Sequence, residues 1–406
     1  MNNTRKFIIT FVMLIWPFFC FAASHQLNVT AVNKLSFGRL NQTIELSSDQ
    51  LKPLGNVDLN RIHVQDAAGR ELLCQAVDTD GDYHPNEIIF QADFAPRQTR
   101  HFIVYVGEKH MYKSSRFKAY GRFVRERFDD FAWENDRIAH RTYGKALETW
   151  KEEPLTSSAI DVWVKKVKKL VINDWYMMGY VTVDTGEGGD LYTCGSSRGD
   201  GGSGLWADGK LWVSKNYVKS HVLANGPIRV MFELTYDTFD VNGNKVKEVK
   251  RVSLDAGQNL DHYQIFYKPE KSENLVTGIG IERTNHTEQE VRKGIKPGHG
   301  MERPPAIMTH KDLEGEHGWV ATQQPLSEGM LNCAIVINPK NFVKTTEDQK
   351  NLLVLSRVPS DNVSSFWAGY SWSESGQFKD YDAWKTYVSH FEQELQSPIQ
   401  ITVSEE

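Results

Sequence analysis

Two stretches of the 406-residue chain carry residue types at spacings that chemistry can use. The first runs from Trp133 to Gly144. If 137–143 is extended, alternation puts Arg137, Ala139, Arg141 and Tyr143 on one face and Ile138, His140 and Thr142 on the other. Two guanidiniums on one face can hold a carboxylate through paired N–H bonds. A phenol beside them can move a proton once its acidity is shifted. Glu134 and Asn135 lead into this face and are counted as further substrate contacts. The competing expectation is a set of Arg–acid pairs between strands, with Glu134 and Asp136 as partners.

The second stretch, Gly186 to Gly209, has nine glycines in 24 residues and also carries Glu187, Asp190, Tyr192, Arg198, Asp200 and Trp206. Its composition predicts a long loop in which backbone can approach a ligand closely. A phosphate-cradling motif fails, because Lys210 is followed by Leu211 where Ser or Thr is required. Elsewhere Arg229 and Glu233 share the polar face of an alternating strand, and His221 and His262 sit on strands that otherwise read as core. With Trp206 as an aromatic platform, these residues could line a polar sheet face that binds sugar. Asp78, Asp80 and Asp82 resemble the start of a calcium loop. Tyr83 and Ile89 stand at its sixth and twelfth positions, however, so a polar turn is expected, with calcium left as an option and no cofactor predicted. No cysteine pair has C-x-x-C spacing, so no structural zinc or redox centre is indicated.

The elements that must position these groups are strands. Residues 26–107 read as short strands with polar turns, including a hairpin from Ile62 to Val77 with Gly69 in its turn. From Phe131 onward, alternation dominates again. Ile228, Val230, Phe232, Leu234 and Tyr236 form one apolar face, and Val241-Asn242-Gly243-Asn244 joins two strands. One helix is predicted over 382–396, where Trp384, Tyr387, Val388, Phe391 and Leu395 make an apolar stripe that Asp380 or Asp382 can cap. Residues 1–24 read as an export signal: Arg5 and Lys6, an apolar run from Phe7 to Phe21, and small residues at Cys20 and Ala22. The division is then 1–24 signal, 25–108 small β-sandwich or barrel, 109–130 basic linker, and 131–406 large antiparallel sandwich with a C-terminal helix. A net charge of −5 argues against nucleic acid as the main partner. No segment of the mature chain is long and apolar enough to span a membrane.

Asp130 to Ala139, Gly186-Glu187-Gly188, Arg198 to Gly204, Trp206 to Asn216 and Leu223 to Arg229 carry a resemblance. They are similar to a domain-of-unknown-function family of exported proteins from polysaccharide-degrading bacteria. That family resembles the galactose-mutarotase-like supersandwich shared by sugar epimerases, polysaccharide lyases and glycosidase domains. The resemblance implies a mostly β chain, exported to the periplasm or beyond, that acts on pectin-like, uronate-containing glycans. It also leads one to expect a His shortly before Gly186, where Thr182 to Thr185 has none. The leading expectation is lyase-type proton abstraction. Arg137 and Arg141 neutralise the uronate, Tyr143 or His221 moves the proton, and Glu187 and Asp190 hold hydroxyls or the leaving oxygen. Glycoside hydrolysis, epimerase or mutarotase chemistry, and binding without turnover stay open.

Overall fold

The computed structural model describes residues 26–405 apart from 153, 180, 181, 273, 284–309, 315 and 316. The expected export signal, 1–24, lies outside the described residues.

The N-terminal region is a two-sheet sandwich. One sheet orders Gln400–Glu405, Gln26–Val32, Thr99–Val106 and Ile62–Asp66; the other orders Arg39–Ser47, Glu87–Phe94 and Cys74–Val77. Alternating inward residues such as Val29, Ile44, Val64, Phe90 and Phe102 fill the space between them. The expected hairpin from Ile62 to Val77 is corrected in part. Its turn forms around Asp66 and Gly69 and closes with a single Gln65–Glu71 bridge. The chain then crosses over, and Cys74–Val77 joins the opposite sheet. The last strand of the chain, Gln400–Glu405, pairs with Gln26–Val32 and not with the large sandwich.

The rest is a β-supersandwich. A nine-stranded antiparallel sheet runs from Tyr217–Asn225 through Arg229–Tyr236, Asn244–Asp255, Leu260–Pro269, Val363–Trp372, Gly329–Ile337 and Trp319–Leu326 to His310–Glu314, with Phe239–Val241 pairing beside Asn244–Asp255. Two five-stranded sheets share a core with it. One orders Gly188–Gly189, Asp161–Lys165, Ala139–Thr142, Asp130–Asn135 and Ala119–Val124. The other orders Lys210–Trp212, Asp200–Ala207, Val276–Glu282, Asn351–Arg357 and Phe342–Glu347. Residues 119–124, placed in a linker by their basic flanks, are thus the edge strand of a sheet.

The alternating face Val230, Phe232, Leu234 and Tyr236 lies in that core, and Asn242 and Gly243 form the expected turn with positive φ at both positions. The helix Tyr381–Gln396 forms as its stripe predicts. Asp380 caps it by accepting from the Ala383 N–H at 2.8 Å, and Trp384 and Val388 pack on Trp319, Ala321, Ala334 and Val336.

The Gly-rich segment differs most from its sequence reading, because its second half is the buried strand Asp200–Ala207. The glycines are there for close approach. A Cβ at Gly199 would lie 1.8 Å from the Ile160 carbonyl oxygen, and one at Gly202 would lie 2.2 Å from that of Arg198.

Candidate functional site

Arg141 sits in the middle of the strand Ala139–Thr142, on the side covered by the short helix Ile172–Met177. The two neighbouring strands each turn an Asp toward it: Asp130 from the strand that starts there, and Asp161 from the other side. Asp190 reaches it from just beyond Gly188–Gly189. The Nε atom of Arg141 donates to Asp161 Oδ2 at 2.8 Å, and Nη2 lies 2.7 Å from the same oxygen and 3.1 Å from Asp190 Oδ2. Nη1 reaches Asp130 Oδ2 at 3.5 Å. The Tyr143 hydroxyl donates to Asp161 Oδ2 at 3.0 Å and lies 3.1 Å from Cys194 Sγ. Tyr176 donates to Asp130 Oδ2 at 3.2 Å.

Three carboxylates therefore surround the Arg141 guanidinium, and Arg127 is a second cation acting on Asp130. Desolvation dominates at Asp130 and lifts its carboxyl to about 6 against the pull of Arg141 and Arg127. Burial likewise pushes the Cys194 thiol and Tyr176 phenol well up, so both stay protonated. Among the charged members, Asp190 and Arg141 are nearest solvent, each with a side chain 6% exposed. The cluster pairs a carboxyl that holds its proton into mild acid with a carboxylate at its rim. That pairing suits proton transfer.

On the opposite face of the same strand, His140 lies 2.9 Å from Asp261 and 3.6 Å from Asp200, all fully buried. Trp133 Nε1 donates to Asp261 at 2.8 Å. Desolvation opposes the imidazolium there, but the two carboxylates outweigh it and raise His140 to about 9.

The structure brings Arg141, Tyr143 and Asp190 together and disperses the other expected site residues. Arg137 turns away and donates to Asn259 Oδ1 at 3.0 Å, so the two arginines do not form a joint clamp. Glu134 is locked to Lys165 at 2.7 Å and accepts from the N–H groups of Val171 and Ile172, which fixes the start of the short helix. The Asn135 side chain accepts from the Arg137 and Ile138 N–H groups and donates to backbone carbonyls of Asp255 and Gln258. Glu187 pairs with Lys169 at 2.7 Å. Arg198 is buried and donates to Ser158 at 3.1 Å. Trp206 is half-buried beside Leu211.

The polar sheet face meets protein, because the small sandwich docks on it. Arg229 bonds Asp255 at 2.6 Å within the sheet and Glu45 at 2.7 Å across the boundary. Glu233 holds Arg251 at 2.6 Å, and Arg251 reaches the Thr79 carbonyl. His221 lies on the edge strand beside Tyr83 of the small sandwich, with ring centroids 5.7 Å apart. His262 stacks on Trp367 at 4.4 Å and hydrogen-bonds Ser365. Burial and then Arg229 lower it to about 4, so its ring is neutral at pH 7. Asp78, Asp80 and Asp82 do converge, but Asp78 is occupied by the N–H groups of Gly81 at 2.7 Å and Tyr83 at 2.8 Å. All three described cysteines, Cys74, Cys194 and Cys333, are buried free thiols.

Sequence reasoning missed Asp130, Asp161 and Tyr176. A usable signal was present at Asp161, an acid leading an apolar strand, which reads as the partner of a buried cation.

Residues 32–401 match the family described as a domain of unknown function, DUF4861. The chain belongs to the DUF4861 family. Its similarity to "Uncharacterized protein P7" of Formosa agariphila, 30% identical over 399 residues and 94% of each chain, agrees with that membership. Among solved structures, this DUF4861 chain is similar to an alpha-mannosidase from Enterococcus faecalis V583, with 10% identity, a TM-score of 0.45 and coverage of 94% of this chain and 46% of that one. It is also similar to a glycosyl hydrolase family 38 protein from Enterococcus faecalis, with 10% identity, a TM-score of 0.48 and coverage of 95% and 48%. The chain thus spans about half the length of those two proteins. Among the described residues, no helix is long and apolar enough to cross a membrane.

Proposed function

We propose that the protein is an exported carbohydrate-active enzyme and that the Arg141 cluster is its reacting site. Asp190 meets the sugar, and Asp130 supplies a proton. Arg141 holds both at fixed positions. The observation that carries this reading is the convergence of three carboxylates on the Arg141 guanidinium, with Asp130 lifted to about 6 by burial. Two carboxyl groups, one of which can hold a proton, are what glycoside hydrolysis uses. The same convergence disfavours a uronate at this position, since its carboxylate would meet three others. Hydrolysis of a glycan is therefore the leading reaction, ahead of elimination from a uronate.

The test incubates the purified protein with neutral and uronate-containing oligosaccharides while following reducing ends and near-ultraviolet absorbance. Expected are new reducing ends without new absorbance, and a loss of about 100-fold or more in Asp190→Asn with the fold retained. Rising absorbance would establish elimination and move the chemistry to Tyr143. Full activity in Asp190→Asn would remove the cluster from the reaction.

A further inference from the structure

The small sandwich holds a second cluster, which the proposed reaction does not use. His63 lies on the strand Ile62–Asp66, Glu71 just past the Gly69 turn, and His110 beyond the end of Thr99–Val106. The backbone fixes all three. Gln65 bridges to Glu71, His63 pairs in register with Tyr105, and the His110 N–H donates to the Asn60 carbonyl at 2.9 Å. Each of the three side chains can present one ligand atom within 4.8 Å of the other two.

The ring nitrogens are already sorted. His63 Nε2 lies 2.8 Å from the Glu108 carbonyl oxygen, and His110 Nε2 lies 2.7 Å from that of Ile62. A carbonyl oxygen can only accept, so each Nε2 is the N–H atom of its ring. His63 Nδ1 lies 2.6 Å from Glu71 Oε1. Metal-bound histidines show this same division, one nitrogen on the ion and the other donating to a backbone carbonyl that sets the ring's orientation.

Stacking fixes the rings as well. Tyr105, His63, His110 and Tyr112 form a column with successive centroids 5.3, 4.0 and 4.8 Å apart. Gly107 completes the fit, because a Cβ there would lie 2.6 Å from the His63 ring. Glu71 is half-exposed, which gives an ion a path from solvent.

We propose that His63, Glu71 and His110 form a binding site for a divalent transition metal of the zinc class, with the Nδ1 atoms of both histidines and the Glu71 carboxylate as ligands. Two imidazoles and one carboxylate are a donor set that Zn2+ accepts, with a further position left for water. The ion takes the place of the hydrogen now held between His63 and Glu71. Cys74 is not a ligand: its Sγ lies 3.1 Å from His110 Nε2, the nitrogen that donates to the Ile62 carbonyl, and it also faces that carbonyl.

The test titrates Zn2+ into the chelator-treated full protein by calorimetry, with Co2+ and its visible spectrum as a second probe. Expected is saturation at one ion per chain, loss of binding in His110→Ala, and affinity weaker by roughly tenfold or more in Glu71→Gln. Cys74→Ser and His101→Ala, the latter a histidine elsewhere on the same sheet, should bind as the parent does. Because Glu71 is half-exposed, its variant keeps the fold and reads the site directly. Absence of saturable binding would overturn the proposal, as would unchanged affinity in Glu71→Gln, or a sulfur-to-cobalt band that disappears in Cys74→Ser.

Discussion

The Arg141 cluster and the His63 cluster hold similar chemical groups under opposite physical conditions. Around Arg141 every charged side chain is nearly or fully buried, so charges must balance locally or protons must stay on, and Asp130 holds its proton up to about pH 6. Around His63 the carboxylate reaches solvent and the two rings are fixed by stacking and by backbone carbonyls. The first arrangement ties any reaction to the stability of the sandwich. The second separates ligand binding from stability, because water can still solvate the carboxylate.

That contrast can be broken most forcefully at Arg141. Arg141→Met leaves Asp130, Asp161 and Asp190 without their close cation and should cost about 3–5 kcal/mol in urea unfolding. A loss below about 1 kcal/mol would mean that the three acids are not charged together, and the distinction between the two clusters would fail.

The pH dependence of stability sharpens it further. The folded-state value of Asp130, about 6, lies above its ordinary 3.8. The folded chain therefore holds a proton that the unfolded chain releases, and stability falls as pH rises from about 4 to 6. His140, about 9 against 6.5, is also raised. Its stabilisation is complete below about 6.5 and is lost as pH climbs through about 9. Asp130→Asn should make the lower fall shallower, the remainder coming from Glu87 and Glu392, raised to about 7, and Glu282, raised to about 8, and should leave the upper one; measurement of the urea midpoint across that range decides it. The smallest effect belongs to Glu71→Gln, whose half-exposed carboxylate should change stability by under about 1 kcal/mol while metal affinity drops. A larger loss of stability would make the His63 cluster a structural weld like the other.

Much of the fold was legible locally. The period-two run from Ile228 to Tyr236, the Asn242-Gly243 turn and the apolar stripe of residues 382–396 each state their structure within a few residues, because backbone geometry and side-chain alternation act at that range. The Gly-rich segment was misread for a matching reason. Glycine that permits a loop and glycine that lets two backbones touch look alike until the partner is known, and the partners of Gly199 and Gly202 are the carbonyls of Ile160 and Arg198.

By itself, then, the sequence determined that the chain is mostly β, where the helix Tyr381–Gln396 lies, and that Arg141 and Tyr143 point to the same side. Only the tertiary structure decided what those side chains face. Arg141 meets acids 11, 20 and 49 residues away along the chain, and His63 and His110 meet although they are 47 residues apart. Sheet pairing sets those encounters, and no local pattern encodes it. It also decided that the polar face carrying Arg229 and Glu233 supports the small sandwich, since a strand specifies which of its faces is polar and leaves open whether water, sugar or another sheet will cover it.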